Sequence, residues 1–237
     1  MRFWEEGLTF EDRADAGRKL AEKLEAYRDR DDVIVLGIPR GGVVVAFEVA
    51  KALHAPLDIF IARKLGVPWQ EELAFGAIAS GGVRIVDPQI VDAVGVTREQ
   101  IEIATQVARR ELDRRERAYR GNRPPLEIAG RTVLLVDDGI ATGSSLRAAI
   151  EAVRQRQPAK LVVAAPVAPE SIRNRLRRYV DDLVCVETPQ DFFAIGQFYL
   201  DFSPTTDEEV TELLRLAAQE PLEAAEKSRR LHEGVRQ

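Results

Sequence analysis

Apolar positions along the chain gather in short runs rich in β-branched residues, separated by stretches whose apolar residues recur at helical spacing. Val33 to Leu36, Leu57 to Ile61, Val133 to Val136, Leu161 to Val167 and Leu183 to Val186 are apolar runs, the second interrupted by Asp58, that are too short for helices. They predict strands buried on both faces, as in a parallel sheet. Ala14, Gly17, Leu20, Ala21 and Leu24 share one helical face and predict a helix over about Glu11 to Tyr27. Val43 to Leu53 and Leu146 to Val153 predict two more. The alternation implies an α/β fold, a twisted and mostly parallel sheet flanked by helices.

Between the second and third strands lies an excursion over about Gly66 to Leu126. Its first part carries Gly66, Gly76, Gly81 and Gly82 and is expected to form a mobile lid, in which Glu71 and Glu72 have no assigned role. Its second part predicts a long charged helix. Thr97-Arg-Glu-Gln100 has the spacing of a capping box, and Gly121 suits the far end. Residues 1–220 are expected to form one domain, followed by a polar tail over 221–237.

The richest chemistry follows the third strand, in Arg131-Thr-Val-Leu-Leu-Val-Asp-Asp-Gly-Ile-Ala-Thr-Gly-Ser-Ser145. The backbone amides from Ile140 through Ala141, Thr142 and Gly143 to Ser144, with the hydroxyls of Thr142, Ser144 and Ser145, suit a phosphate nest that opens a helix. Asp137 and Asp138 cannot bind phosphate directly. At the carboxyl end of a parallel strand they suit a ribose diol or a magnesium ion. Competing phosphate motifs fail on the same letters. A P-loop needs Lys after Gly143 and finds Ser144, and aspartyl phosphohydrolases need one residue between two acids that are adjacent here. Response regulators place such a pair near the start of a domain, with a phosphoacceptor Asp ending a later strand. Asp181 and Asp182 instead precede their apolar run.

This stretch resembles the phosphoribosyl-pyrophosphate (PRPP) signature of type I phosphoribosyltransferases, and the resemblance extends over roughly residues 33 to 202. It implies that the loop Ile140 to Ser145 holds a 5′-phosphate and that Asp137 and Asp138 orient the ribose diol. The first strand ends in Gly37-Ile-Pro-Arg-Gly-Gly42, where two glycines admit a ligand and Arg40 supplies a rigid cationic fork. By the same resemblance Pro39, Arg40, Gly41 and Gly42 hold pyrophosphate, with a cis peptide at Pro39-Arg40. Arg63 and Lys64 look like the basic pair ahead of the flexible loop in orotate-type enzymes. They are expected to reach the same pyrophosphate, with Lys64 beside Arg40 and the two acids among the catalytic residues.

Residues of about 184 to 202 resemble the nucleobase hood of hypoxanthine-type members. Carried over, Phe192 or Phe193 stacks on the acceptor ring, and Asp201 joins Asp137 and Asp138 around magnesium. Two departures argue against a 6-oxopurine acceptor. Ala141 stands where those enzymes carry an acid, and no Lys precedes the hood.

Composition narrows the setting. The 237 residues carry a formal net charge of −5, which gives no support to non-specific nucleic-acid binding. The arginine runs near Arg109, Arg114 and Arg173 to Arg178 are interspersed with acids and read as solvated helix faces. Cys185 is the only cysteine and sits within an apolar run, which suits a buried strand position and a reducing cytoplasm. The first residues lack a signal-peptide pattern, and no apolar stretch is long enough to span a bilayer. The expectation is a cytoplasmic, homodimeric, Mg²⁺-dependent transferase acting on PRPP and a nitrogen acceptor. The competing reading is a PRPP- or nucleotide-sensing regulator on the same fold that does not turn over.

Overall fold

The structure is a computed structural model that describes residues 10–219. The first nine residues, the side chains of Glu71, Glu72 and Ser144, and the tail expected after Pro221 lie outside the described residues. In chain order the elements are α1 (Arg13–Lys23), β1 (Val33–Gly37), α2 (Gly41–Leu53), β2 (Leu57–Ile59), β3 (Ala62–Val67), β4 (Gln70–Ala79), β5 (Val83–Val86) and α3 (Pro88–Val94). Next come α4 (Arg98–Arg120), β6 (Thr132–Val136), α5 (Ser144–Gln155), β7 (Lys160–Val167), α6 (Glu170–Leu176) and β8 (Asp182–Glu187). A last helical stretch covers 207–219. No helix among the described residues is long and apolar enough to cross a membrane.

Five strands form one parallel sheet in the order β2-β1-β6-β7-β8. Alternate residues of each strand face opposite sides, as strand geometry requires. Val33 and Val35 of β1 pack with α1 and α2, whereas Ile34 and Leu36 pack with α5. Both faces are covered, so every residue of β1 and β6 is buried. Each such aliphatic side chain contributes about 1.5–3 kcal/mol relative to exposure. Beyond β1 the chain crosses through α2 to β2, and beyond β6 it crosses through α5 to β7 in the opposite direction. The carboxyl ends of β1 and β6 therefore flank the switch point where open α/β sheets bind ligands.

Helix ends follow local chemistry. The Asp12 side chain accepts from the Asp15 N–H at 2.7 Å and starts α1, which gives way after Leu24 to a single 3₁₀ turn over Glu25–Tyr27. The expected helix to Tyr27 is thus shorter than its apolar pattern suggests. For α4 the capping box is present in both directions, with Gln100 N–H donating to Thr97 at 3.2 Å and Thr97 N–H donating to Gln100 at 2.8 Å. The second strand stops at Ile59 instead of Ile61: the last ladder bond runs from Phe60 N–H to the Gly37 carbonyl, and the Ile61 N–H donates instead to the Ser80 hydroxyl at 3.0 Å.

The largest difference from the sequence-based expectation lies between β2 and α3. The glycine-rich segment expected as a mobile lid is folded as a three-stranded antiparallel sheet, β3-β4-β5. Leu65, Val67, Phe75 and Ile78 are buried in it. Its glycines serve geometry: Gly81 and Gly82 adopt positive φ, 80° and 77°, in the turn from β4 to β5. Gly76 lets β5 approach, since a Cβ there would run into the Ile85 carbonyl. Gly76→Ala is expected to lower stability by about 1–3 kcal/mol through overpacking in urea unfolding. An unchanged midpoint would mean that β4 and β5 are not paired in this register.

Of the segment expected as a hood over about 184–202, the first residues belong to β8 of the main sheet, and the residues after β8 fold back. Phe10 bridges Tyr199 in parallel, and Phe10, Phe198 and Tyr199 form a small cluster with Ala16 and Val167. Ile195 of this hood lies directly over Gly139, at the start of the loop after β6.

Candidate ligand site at the sheet switch point

Two loops meet where β1 and β6 end. The first, Ile38 to Arg40, is tied to the second strand by Ile38 N–H donating to the Val136 carbonyl at 2.9 Å. Its Pro39–Arg40 peptide is cis, as the resemblance implies. Arg40 is exposed and has no ion-pair partner among the described residues. Gly41 and Gly42 open α2 against the diacid: a Cβ on Gly42 would lie 2.9 Å from Asp137 Cα, and one on Gly41 would collide with the Asp138 carboxylate. Side-chain-free backbone at these positions is what allows the two loops to touch.

The second loop runs from Asp137 to Gly143, which takes a left-handed conformation (φ 70°) and starts α5. Here the expected phosphate nest needs trimming. The Ile140 N–H donates to the Val167 carbonyl at 2.9 Å, and the Ile140 side chain is buried under the loop. Its amide is already committed to the sheet, so any nest begins at Ala141. Ala141, Thr142 and Ser145 are exposed, and Arg175 of α6 donates to the Thr142 carbonyl. Gly143 backs onto Ile172 and Leu176.

Asp137 and Asp138 are half-buried. Burial, then the neighbouring Asp138 charge, push the Asp137 carboxyl well above the usual carboxylate range; a backbone N–H from Asp138 and the Arg13 charge act weakly in the other direction. Asp138 is held by two groups that local sequence did not reveal. Arg13 Nε donates to its Oδ2 at 2.7 Å, and the Tyr199 hydroxyl donates to its backbone carbonyl at 2.6 Å. Burial and the charge of Asp138 raise the Tyr199 phenol far above its ordinary value, so it stays a donor. Nothing near Arg13 in the sequence distinguishes it from its neighbours on α1. Tyr199 does fall inside the hood motif, and its position near Asp201 was the available signal.

Other expected site residues lie elsewhere. Arg63 and Lys64 are on opposite faces of β3. Arg63 points to α4 and pairs with Glu111 at 3.6 Å, while Lys64 is exposed and lines a cavity of about 360 Å³ with Arg147 and Glu151 of α5. Both residues also border a cavity of about 680 Å³ against α4, and neither shares a described cavity with Arg40 or with the two acids. Only the strand alternation of β3 separates the pair, and a segment expected as a loop carries no such alternation. Phe192 stacks on Phe198 within the hood, ring centroids 5.6 Å apart, and so belongs to its core. Phe193 projects into solvent, 91% exposed. Asp201 accepts from the Ser203 N–H and hydroxyl, and no group of three or more His, Cys, Asp or Glu side chains among the described residues is arranged to hold a metal. The expected trio of Asp137, Asp138 and Asp201 is therefore not assembled. Cys185 lies in β8 as expected, though only partly buried, and burial pushes its thiol up to about 11.

Comparison with known proteins bears on this arrangement. A family model described as phosphoribosyl transferase domain matches residues 4–203. In two strains of Mycobacterium tuberculosis a protein named "putative phosphoribosyl transferase" is 45% identical over 215 residues, covering 91% of this chain and 48% of that protein. The chain thus spans about half the length of these curated relatives. The bifunctional protein PyrR of Leifsonia xyli is 31% identical over 144 residues, 59% of this chain and 62% of its own. Among solved structures, TT1426 from Thermus thermophilus superposes with a TM-score of 0.78 at 42% identity, covering 87% of this chain and 98% of its own. With the family match running from before α1 through the hood, the chain belongs to the phosphoribosyl transferase domain family.

Proposed function

We propose that this domain transfers the ribose 5-phosphate of PRPP to a nitrogen acceptor and releases pyrophosphate, with Mg²⁺ as cofactor. The observation that carries the reading is the contact between the two loops: the bare backbone of Gly41 and Gly42, next to an exposed Arg40 with no ion-pair partner among the described residues, lies against a diacid followed by a helix-opening loop. Arg40 and the amides that open α2 suit a polyanion. On this reading the loop Ala141 to Ser145 takes a phosphate ester, and Asp137 and Asp138 take the hydroxyls. The distribution of charge matches a phosphorylated sugar carrying a pyrophosphate.

The donor set suits magnesium, which takes one or two protein carboxylates and completes its shell with water and substrate phosphates. Asp137 and Asp138 would hold it, and a cation there offsets the repulsion that raises Asp137. When bound, it neutralises charge building on the leaving pyrophosphate. Arg40 binds that same group and favours departure. As the C1–O bond breaks and the C1–N bond forms, the electron pair leaves with pyrophosphate, and the proton of the acceptor nitrogen passes to the departing pyrophosphate or to water. Fixed charges around an oxocarbenium-like ring supply the stabilisation. Phe193, exposed in solvent, is the remaining hood aromatic that this reading would bring to an acceptor. Lys64 and Arg63 would join only if the β3–β5 sheet moves over the site. A homodimer in the cytoplasm belongs to the same reading.

Two observations favour binding without turnover, the sensing alternative. Ala141 offers no acid or base toward an acceptor, and Phe193 stands alone in solvent. Pyrophosphate release from PRPP and Mg²⁺, measured across purine, pyrimidine and other nitrogen acceptors, separates the two. Acceptor-dependent release is expected, with Arg40→Ala lowering kcat/KM by roughly 10- to 100-fold, the worth of a charged hydrogen bond. PRPP binding with no release for any acceptor would leave only the sensor.

A further inference from the structure

Resting on that sugar-phosphate reading, we infer that Arg13 is a positioning residue for the site: it sets the Asp138 carboxylate for the ribose diol, from the rear, through α1 and the hood. Three constraints fix its guanidinium. Nε donates to Asp138 Oδ2 at 2.7 Å, NH1 donates to the Ser203 carbonyl at 2.8 Å, and the plane lies over Phe202 with its carbon 3.9 Å from the ring centroid. The side chains of Arg13 and Asp138 are only 11% and 15% exposed. A flat fork with donors on separate edges meets all three at once; an ammonium cannot.

The arrangement exceeds what fastening α1 to the core would need. The same acid is gripped a second time at its main chain by Tyr199, whose ring packs on Phe202 at 4.9 Å and on Phe10 at 5.2 Å. Arg13, Phe202 and Tyr199 therefore form one packed unit that touches Asp138 at both ends of the residue. Arg13 takes Oδ2 and leaves Oδ1 outside the ion pair. A Cβ on Gly41 would meet Arg13 Nε at 2.6 Å, so the same guanidinium also backs the first loop. An acid oriented this way presents a fixed acceptor to a hydroxyl, and fixed acceptors discriminate a substrate hydroxyl from its absence.

The test is calorimetric titration of the full chain with ribose 5-phosphate and with its 2-deoxy and 3-deoxy analogues. Wild type is expected to prefer ribose 5-phosphate over one or both deoxy sugars by about tenfold or more. Arg13→Gln is expected to reduce that preference to about threefold or less while deoxy-sugar binding changes little, and Arg13→Lys to recover it only in part. Phe202→Leu, which loosens the guanidinium and leaves both acids in place, shifts the preference the same way by a smaller factor. It also carries the test should Arg13→Gln fail to fold. If the variants weaken all three sugars equally, Arg13 is a structural tie and the inference falls. If wild type binds all three equally, the inference falls together with the diol role of the acids. If wild type binds none, the sugar-phosphate reading itself is overturned.

Discussion

Asp137→Asn is expected to melt at a higher temperature than wild type at neutral pH, and to lose roughly 10- to 100-fold in kcat/KM with PRPP. The stability half follows from the environment of the carboxyl. Burial and the adjacent Asp138 raise the Asp137 pKa above its ordinary value of 3.8, so the folded state holds this proton more tightly than the unfolded chain. A raised folded pKa contributes stability that is fully present below the unfolded value and is lost as pH rises through the folded one. Asparagine has no charge to bury at any pH. It can also keep the hydrogen bond in which Asp138 N–H donates to Oδ1 at 2.9 Å. The gap in melting temperature should therefore open from about pH 4 upward. The functional half follows because a carboxylate that is costly in the free protein becomes favourable once hydroxyls or a cation meet it. Sites of this kind trade stability for activity. Melting curves of both proteins from about pH 4 to 8 decide the matter. A gap that does not grow with pH would show that Asp137 is adequately compensated in the free protein.

Arg120→Ala is expected to be among the most destabilising substitutions in the chain, costing about 3–5 kcal/mol, or on the order of 10 °C in melting temperature. Arg120 and Asp58 are a buried ion pair, with side chains 7% and 9% exposed. Arg120 Nε donates to both Asp58 oxygens, at 2.7 and 3.0 Å, its NH2 donates to the Ile59 carbonyl at 2.8 Å, and NH1 pairs with Glu116 at 2.9 Å. Asp58 also accepts from the Ile59 and Leu126 N–H groups at 2.7 and 3.1 Å. Together these bonds fasten the end of α4 to β2 and close the excursion that began at β3. Alanine leaves a buried carboxylate without its cation, and that orphaned charge is the source of the cost. The double variant Asp58→Asn/Arg120→Gln should recover part of the loss, since it removes the charge from both partners. Urea unfolding measures all three proteins, and a loss below about 1 kcal/mol in Arg120→Ala would mean that α4 is held by its apolar face alone.

The ends of the sheet strands were readable within a residue or two because each strand is buried on both faces. A continuous run such as Val133 to Val136 is too short for a helix and too apolar for a loop, which leaves a buried strand. The capping box of α4 was readable because all its parties lie within one turn. The β3–β5 sheet was not, for an equally definite reason. Its glycines answer to a neighbouring strand and a turn, and glycine carries the same letter whether it confers mobility or admits a close contact. Once the segment is seen as strand, alternation sends the Arg63 side chain to Glu111 of α4 and brings Lys64 to a cavity lined by α5, although both residues border one cavity against α4.

Hydrophobic period and loop composition alone determined the α/β architecture, the two candidate ligand loops and the family resemblance, because burial of a strand and the chemistry of a turn are set by residues adjacent in the chain. The tertiary structure decided which polar groups meet. Arg13 reaches Asp138 across 125 positions and Arg120 reaches Asp58 across 62, while the Ile140 amide is claimed by Val167 and removed from the nest. Hydrogen bonds act over about 3 Å and depend on direction. Only the packed crossovers of the sheet bring such groups within that range.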